Sequence, residues 1–313
     1  MPRPPLLQVD SISKAFGTQK AVDQLSFQVQ KGEIFALLGP NGAGKTTTVR
    51  MLMQIIQPDS GEITFHLDLP ANTAIHPHVG YLPEDRGLFK EIGILKTMIY
   101  MGILRGMPRS TAHREACAWL DRLGLADRAK DRLDTLSKGN QQKVQFAAAI
   151  LHKPVFAILD EPFSGFDPVN QDLFVDIIAQ LRKEGTTVLL SAHQMPLVER
   201  LADRILLLNA GKEALQGNVD TLTALHTAKG ILRLTLGQPL NDATLLNHPA
   251  ISSWQIPEPQ QLVLHLKDTD SLSNLLAFLA ADLDIRDIHR DRPDLHQIYI
   301  QTLAAIPKKE VST

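Results

Sequence analysis

The chain has 313 residues, of which 44% are hydrophobic, so it is long enough for one large domain or two modest ones. Its 32 basic and 34 acidic residues leave a formal net charge of −2, which excludes a general electrostatic attraction to nucleic acid or to an anionic membrane. A single cysteine, Cys117, excludes an intrachain disulfide and fits a reducing compartment.

The first predicted elements are strands that lead into a glycine-rich loop. Residues 7–30 are typical of two short strands around the turn Phe16-Gly17-Thr18, and the apolar run 34–38 predicts a buried strand. A helix-like run then covers residues 46–56. The loop between this strand and this helix has the sequence Gly39-Pro40-Asn41-Gly42-Ala43-Gly44-Lys45-Thr46-Thr47.

The glycine-rich loop matches the pattern of a phosphate-binding loop. Its glycines let successive backbone N–H groups face a phosphate, and the helix N terminus adds a partial positive charge. Lys45 can reach the β- and γ-phosphates of a nucleotide, and the Thr46 hydroxyl can ligate Mg²⁺. A glycine-rich turn with a chance lysine is the alternative, and the flanking strand and helix argue against it.

The middle of the chain combines one further strand, near 61–67, with a mainly helical insert at about 91–135. His76 and His78 flank a proline in the connector, where they are more typical of a loop than of a metal site. The insert carries a stripe of apolar residues at helical spacing, which we expect in the core. The stripe consists of Ile94, Met98, Met101 and Leu104.

Strands at 155–160, 186–191 and 204–208 alternate with helical runs, which is the pattern of a parallel α/β sheet. The first of these strands ends in Asp160 and is followed by Glu161. A carboxylate at the end of such a strand suits Mg²⁺, and the next carboxylate can orient or deprotonate a water molecule. A solvated acidic turn is the alternative. Because a phosphate-binding loop lies upstream, we favour the catalytic interpretation.

Ser137 stands where a helix should begin, with Gln141 and Lys143 following it, so it is interpreted as an N-cap. The predicted helix runs through the alanines at 147–149. A capped helix N terminus can bind an anion, and a plain N-cap without a ligand is the alternative.

The last part of the chain, from about 226 onward, predicts a small domain of its own. The order of its elements is βαββαβ, which suggests a ferredoxin-like fold. Structural, dimerisation and regulatory roles all remain open for it. The predicted elements lie near 231–236, 243–247, 251–256, 262–266, 271–281 and 285–290, and a final helix follows at 294–303.

Several motifs of the chain resemble those of the ATP-binding subunits of ABC transporters. The stretch 136–143 is similar to the family signature, and Ser164-Gly165-Phe166-Asp167 is similar to its D-loop. His193 resembles the family's switch histidine, and Phe16 lies where the family places an adenine-stacking aromatic residue. These motifs occur in the family's order, and the resemblance covers about residues 5–225.

The resemblance implies an α/β fold with a phosphate-loop ABC ATPase core at 1–225, and the order of the elements that follow it predicts a small α+β accessory domain at 226–313. The core would contain an antiparallel β-subdomain and a helical subdomain at about 85–150, and its cofactors would be ATP and Mg²⁺. The implied catalytic residues are Glu161, His193 and Glu84, and the implied metal ligands are Thr46, Asp160 and Glu84. The implied nucleotide-binding residues are Phe16, Gly39, Pro40, Asn41, Gly42, Ala43, Gly44, Lys45, Thr46, Thr47, Ser137, Gly139 and Asp167.

Three positions depart from the family pattern. Lys138 and Asn140 replace a glycine-type residue and a glutamine in the signature, and Glu84 stands at the position of the Q-loop glutamine. An ionised glutamate only accepts hydrogen bonds, but it can still ligate Mg²⁺ or water. These variations resemble a branch of ATP-binding subunits that serve ABC-2 type exporters, including sodium- and drug-efflux systems.

The resemblance also implies a homodimer that clamps two ATP molecules head to tail, hydrolyses them and drives separate transmembrane permease subunits docked on the helical insert. The sequence contains neither a recognisable signal peptide nor an apolar run of about 18 residues, so we expect a cytoplasmic protein held at the membrane by its permease. A soluble ABC ATPase acting on nucleic acid or ribosomes, a nucleotide sensor with little turnover, and an importer are the alternatives. No direct contact with nucleic acid is expected, and these motifs do not encode the transported substrate.

Overall fold

The computed structural model describes residues 4–67, 76–85, 87–227, 230–240, 246–267, 272–291 and 294–305. The chain divides into two compact units, Met1–Gly217 and Asn218–Thr313. The domain limits drawn from the sequence, 1–225 and 226–313, stay a prediction. No helix in the described ranges is long and apolar enough to cross a membrane.

The first unit alternates strands, helices and short 3₁₀ turns. Its strands are β1 (Leu7–Phe16), β2 (Gln19–Val29), β3 (Ile34–Leu38), β4 (Ser60–Phe65), β5 (Val79–Leu82), β6 (Phe156–Asp160), β7 (Thr187–Ala192), β8 (Arg204–Asn209) and β9 (Lys212–Asn218). Its helices are α1 (Lys45–Leu52), α2 (Ile94–Leu104), α3 (Arg109–Arg122), α4 (Lys138–Ile150), α5 (Pro168–Lys183) and α6 (Met195–Glu199). The 3₁₀ turns are His76–His78, Ala126–Arg128 and Leu133–Thr135.

An antiparallel sheet with the strand order β2-β1-β4 forms one layer of the first unit. β1 and β2 make a hairpin, in which Phe16 pairs with Gln19 beside the turn. Phe27 of β2 stacks on Phe35 of β3 with ring centroids 5.4 Å apart, so this sheet shares a core with the central sheet. The predicted hairpin and the strand predicted near 61–67 are confirmed.

The central sheet of the described structure has the strand order β5-β6-β7-β3-β8-β9, and β5, β6, β7, β3 and β8 run parallel. Every residue of β3, β6 and β7 is buried, as expected for parallel strands covered on both faces. Leu38 pairs with Ala192, and Asp160 pairs with Ser191. The carboxyl ends of β3, β6 and β7 therefore lie side by side, which is where ligands bind in sheets of this kind.

The helical insert packs α2 and α3 against α4. α2 buries Ile94, Met98 and Gly102 along one line of its surface. A Cβ atom added to Gly102 would lie 3.0 Å from the Cβ of Ala112, so the two helices approach closely there. Leu104 lies off this line and is 58% exposed. The predicted apolar stripe is thus correct for Ile94 and Met98 and wrong for Leu104, and Met101 is half-buried.

The second unit is built around an antiparallel sheet with the strand order β11-β12-β10-β13. Alternate leucines of β10 and β12 form its core together with Leu275 and Leu279. The ferredoxin-like assignment stays a prediction, because the helix expected near 243–247 lies largely outside the described residues. The elements of this unit are α7 (Val219–Thr227), β10 (Ile231–Leu236), β11 (Ile251–Glu258), β12 (Gln261–Leu266), α8 (Leu272–Asp282), β13 (Ile285–Asp291) and α9 (Leu295–Ala305).

Candidate functional site

A tight glycine loop joins β3 to α1. Gly44 is the N-cap of α1 and has a φ of 103°, a region that favours glycine. A Cβ atom added to Gly44 would lie 2.4 Å from the Ala21 carbonyl oxygen, and one added to Gly39 would lie 2.5 Å from that of Leu208. Backbone oxygens approach both positions too closely for any side chain. The loop therefore wraps around the N terminus of α1, a position that favours an anion.

The side chain of Lys45 folds back over this loop. Its Nζ donates to the Gly39 carbonyl at 2.9 Å and to the Pro40 carbonyl at 3.3 Å. It also lies 3.8 Å from Glu161 Oε1, and the residue is only 6% exposed. A buried ammonium group is costly unless it is paired, so the two carbonyls and the Glu161 carboxylate stabilise its charge.

Asp160 lies at the end of β6 and is completely buried. The Ser191 hydroxyl donates to Asp160 Oδ1, because the parallel register of β6 and β7 sets the two residues side by side. Asp160 Oδ2 has no hydrogen-bond partner among the described residues. Burial raises the pKa of this carboxyl group, and the nearby Glu84 charge raises it further. A buried carboxylate oxygen without a partner is a suitable ligand for a cation.

Glu161 and His193 meet because they follow the adjacent strands β6 and β7. His193 Nδ1 lies 2.8 Å from Glu161 Oε2, within hydrogen-bond distance. The backbone N–H of Glu161 donates to the Ser191 carbonyl at 3.2 Å and to its hydroxyl oxygen at 3.0 Å. These contacts hold Glu161 at a φ of 50°, in the left-handed region that is unusual for a residue with a side chain.

Thr46, Asp160 and Glu84 lie together beside the loop. Thr46 Oγ1 donates to Glu84 Oε2 at 3.2 Å, and the charge of Glu84 is close enough to act on Asp160. In the described ranges, no group of three or more His, Cys, Asp and Glu side chains could hold a metal ion. Two carboxylates and a hydroxyl nevertheless suit Mg²⁺, which keeps several waters and completes its shell with substrate phosphates. The unpartnered oxygen of Asp160 fits such an ion.

Lys45, Thr46, Glu84 and Glu161 line a cleft of about 330 Å³, the lower end of the range for small-ligand sites, whereas Asp160 and His193 are not among its lining residues. Phe16 ends β1 at one wall of the cleft and is 55% exposed, so its ring is accessible from the cleft. Gln19 and Ala21 also line the cleft, and sequence reasoning missed both of them. The hairpin turn after Phe16 is the signal that could have found Gln19. The cleft is lined by Phe16, Gln19, Ala21, Asn41, Gly42, Ala43, Gly44, Lys45, Thr46, Thr47, Glu84 and Glu161.

Five residues predicted to bind nucleotide do not line this cleft: Gly39 and Pro40, which belong to the loop beside it, and Ser137, Gly139 and Asp167. Ser137 caps α4 and accepts a hydrogen bond from the Asn140 N–H at 3.3 Å. Asp167 caps α5, and its hydrogen bonds to Asn170 lower the pKa of its carboxyl group. A Cβ atom on Gly139 would lie 3.6 Å from the carbonyl oxygen of Gly165, so the starts of α4 and α5 are close together on the exposed surface.

Comparison with known proteins gives a consistent result. Residues 22–164 match the family model described as ABC transporter. The chain is 36% identical over 301 residues to the uncharacterized ABC transporter ATP-binding protein YhaQ of Bacillus subtilis, covering 96% of this chain and 99% of that protein. It is 31% identical over 293 residues to the Nod factor export ATP-binding protein I of Bradyrhizobium diazoefficiens, with 93% and 94% covered. A solved ATP binding subunit of an ABC transporter matches with a TM-score of 0.64 and 28% identity, covering 70% of this chain and 92% of that one. The chain therefore belongs to the family of ABC transporter ATP-binding proteins.

Proposed function

We propose that this chain is the ATP-binding and ATP-hydrolysing subunit of an ABC-2 type exporter and drives a separate permease. The family implies ATP hydrolysis. The observation that carries the proposal is the cleft itself, where a phosphate-binding loop, a shielded lysine and the Glu161–His193 pair come together.

The cleft would bind ATP along its length. The loop N–H groups and the N terminus of α1 would hold the β- and γ-phosphates, with Lys45 supplying a positive charge. The accessible ring of Phe16 would stack on the adenine, since an aromatic ring accepts the face of any base. Thr46, Asp160 and Glu84 would hold Mg²⁺, which when bound neutralises part of the phosphate charge.

Glu161 would act as the general base. Its carboxylate would accept a proton from a water molecule as the water oxygen bonds to the γ-phosphorus and the bond to the β-bridging oxygen breaks, which yields ADP and phosphate. His193, at 2.8 Å, would orient that carboxylate. Lys45 now lies 3.8 Å from Glu161 and would turn to the phosphates when nucleotide binds. Binding would thereby leave Glu161 available to the water molecule.

The site would be completed by a second copy of the chain. Ser137, Gly139 and Asp167 lie outside their own cleft, on an exposed surface at the start of α4 and α5. The capped N terminus of α4 is suited to the γ-phosphate held by a partner chain. In a head-to-tail homodimer each ATP would then bridge both subunits, and hydrolysis would remove the bridge.

The proposed permease would lie in the membrane, with this chain on its cytoplasmic face. The described part of the helical insert exposes Ile92, Tyr100 and Ile103, and Phe89 is exposed just before it, so these side chains offer an apolar surface to such a partner. The direction of transport is proposed from the name of the Bradyrhizobium relative, which is an export protein.

Purification of a tagged chain from detergent-solubilised membranes tests the proposal. We expect a polytopic membrane protein to co-purify, and we expect ATP to change the amount recovered. Recovery of ribosomal proteins in place of a membrane protein would instead support a soluble ABC ATPase.

A further inference from the structure

A buried side chain from α4 holds the loop that carries Glu84. Gln145 is only 5% exposed, and its Nε2 donates to the Asp85 carbonyl at 3.0 Å and to the Pro83 carbonyl at 3.3 Å. These two carbonyls belong to the residues on either side of Glu84. The backbone of Glu84 is therefore tied to α4 at both of its neighbours.

The same loop is attached to α1 by side chains. Thr46 Oγ1 donates to Glu84 Oε2, and Arg50 pairs with Asp85 at 3.7 Å. The Arg50–Asp85 pair is well exposed, so water screens it and its contribution is small. The Gln145 side chain is buried and its two bonds to the loop are partly buried, so an amide donor left unpaired there would be costly. The attachment of this loop to α4 through Gln145 is therefore stronger than its attachment to α1 through Arg50.

We propose that Gln145 is a positioning residue that makes the placement of Glu84 depend on α4. The inference rests on the proposed function, in which Glu84 helps to hold Mg²⁺ beside its own nucleotide while Ser137 contacts the nucleotide of the partner chain. Gln145 lies roughly two helical turns from Ser137 on the same helix. A movement of α4 when the dimer closes would move the Pro83 and Asp85 carbonyls with it, and so would regulate the metal side of the cleft.

The test compares Gln145→Met, which keeps the length of the side chain and removes both donors, with wild type. The measured quantity is the factor by which Mg²⁺ tightens equilibrium binding of a fluorescent ATP analogue. We expect Gln145→Met to reduce this factor at least roughly fivefold and to leave binding without Mg²⁺ within about twofold of wild type. Gln180→Met is the control for the chemical change alone, because Gln180 is exposed and its side chain bonds only to Arg122 and Glu184 in the described hydrogen bonds.

A double-mutant cycle with Glu84→Ala separates positioning from packing. If Gln145 acts through Glu84, Gln145→Met has no further effect on the Mg²⁺ factor in the Glu84→Ala background. An equal loss in both backgrounds would show a packing role and overturn the proposal. A Gln145→Met chain with the same Mg²⁺ factor as wild type would also overturn it. If Gln145→Met does not fold, Gln145→Asn, which keeps an uncharged amide but shortens its reach to the two carbonyls, replaces it in the cycle. A wild-type chain that binds no nucleotide at all would instead reject the proposed function and this inference with it.

Discussion

Glu161 occupies a backbone conformation that costs energy for a residue with a side chain. Its φ of 50° is held by two hydrogen bonds from its N–H to Ser191, and its carboxylate contacts His193 and Lys45. Such conformations cost about 1–3 kcal/mol and persist where the surroundings fix them. The strain aims the carboxylate into the cleft, which is the direction a general base needs.

We expect Glu161→Gln to bind MgATP as wild type does and to hydrolyse it at least roughly 10² times more slowly, because the amide cannot accept the proton. The amide oxygen can still accept from His193, so the local geometry is retained. Phosphate release measures the rate, and size-exclusion chromatography with MgATP should show an accumulated dimer. Hydrolysis at the wild-type rate would place the base at another residue.

Asp160 gives a prediction about pH. Because burial raises its pKa, the folded state binds this proton more tightly than the unfolded chain, so its contribution to stability is present at low pH and is lost as pH rises through the raised pKa. Asp160→Asn keeps an acceptor for the Ser191 hydroxyl and carries no charge. Without nucleotide, the melting temperature of Asp160→Asn minus that of wild type should therefore become more positive as the pH rises from acid to neutral.

The same substitution should weaken nucleotide binding only when Mg²⁺ is present, since an amide oxygen is a poorer ligand for a hard cation than a carboxylate. Thermal melts across pH and binding titrations with and without Mg²⁺ check the two effects separately. A variant that is less stable than wild type at neutral pH would contradict this account of Asp160.

At the scale of helices, strands and loops, the features formed by residues that are neighbours in the sequence could be predicted from the sequence. The loop after β3, the acidic end of β6 and the cap of α4 are local patterns, and the α/β core with an antiparallel β-subdomain and a helical insert is confirmed. Gln19 reaches the cleft through hairpin register, and Ser191 reaches Asp160 through parallel pairing. Gln145 contacts a loop about sixty residues away. No local pattern encodes the contacts of Ser191 and Gln145, so sequence reasoning missed them, whereas the hairpin turn after Phe16 was a local signal for Gln19.

The close approach of the glycine loop to β2 leads to a prediction for that loop. Gly44→Ala adds a left-handed strain of about 1–2 kcal/mol and also a contact of 2.4 Å with the Ala21 carbonyl, which the backbone must move to relieve. We expect a clear loss of stability and of ATP binding. Gly42→Ala is the matched control, because its φ of 78° brings similar strain but nothing in the described structure lies within 4 Å of the added atom. The melting temperature of Gly44→Ala should be lower than that of Gly42→Ala. Equal melting temperatures would show that the loop moves away from the Ala21 carbonyl at no cost.

At the scale of the whole molecule, one chain supplies only part of the predicted nucleotide contacts. The cleft gathers Phe16 and the loop residues 41–47, whereas Ser137, Gly139 and Asp167 remain outside it. A head-to-tail homodimer would join the two sets, and this requirement can be tested by separating them genetically.

Two inactive variants should therefore restore activity when they are mixed. Lys45→Ala removes the buried charge for the phosphates, and Ser137→Arg blocks the capped N terminus of α4 with bulk. In a mixed dimer, Lys45 of the Ser137→Arg chain meets Ser137 of the Lys45→Ala chain, which rebuilds one site of the two. Random pairing makes half of the dimers mixed, so phosphate release should recover to roughly a quarter of the wild-type rate if single sites turn over independently. Differently tagged chains report the mixed dimers directly. If mixed dimers form with ATP and the mixture still releases no phosphate, the proposal of a site shared by two chains is wrong. It is also wrong if Ser137→Arg alone hydrolyses ATP normally.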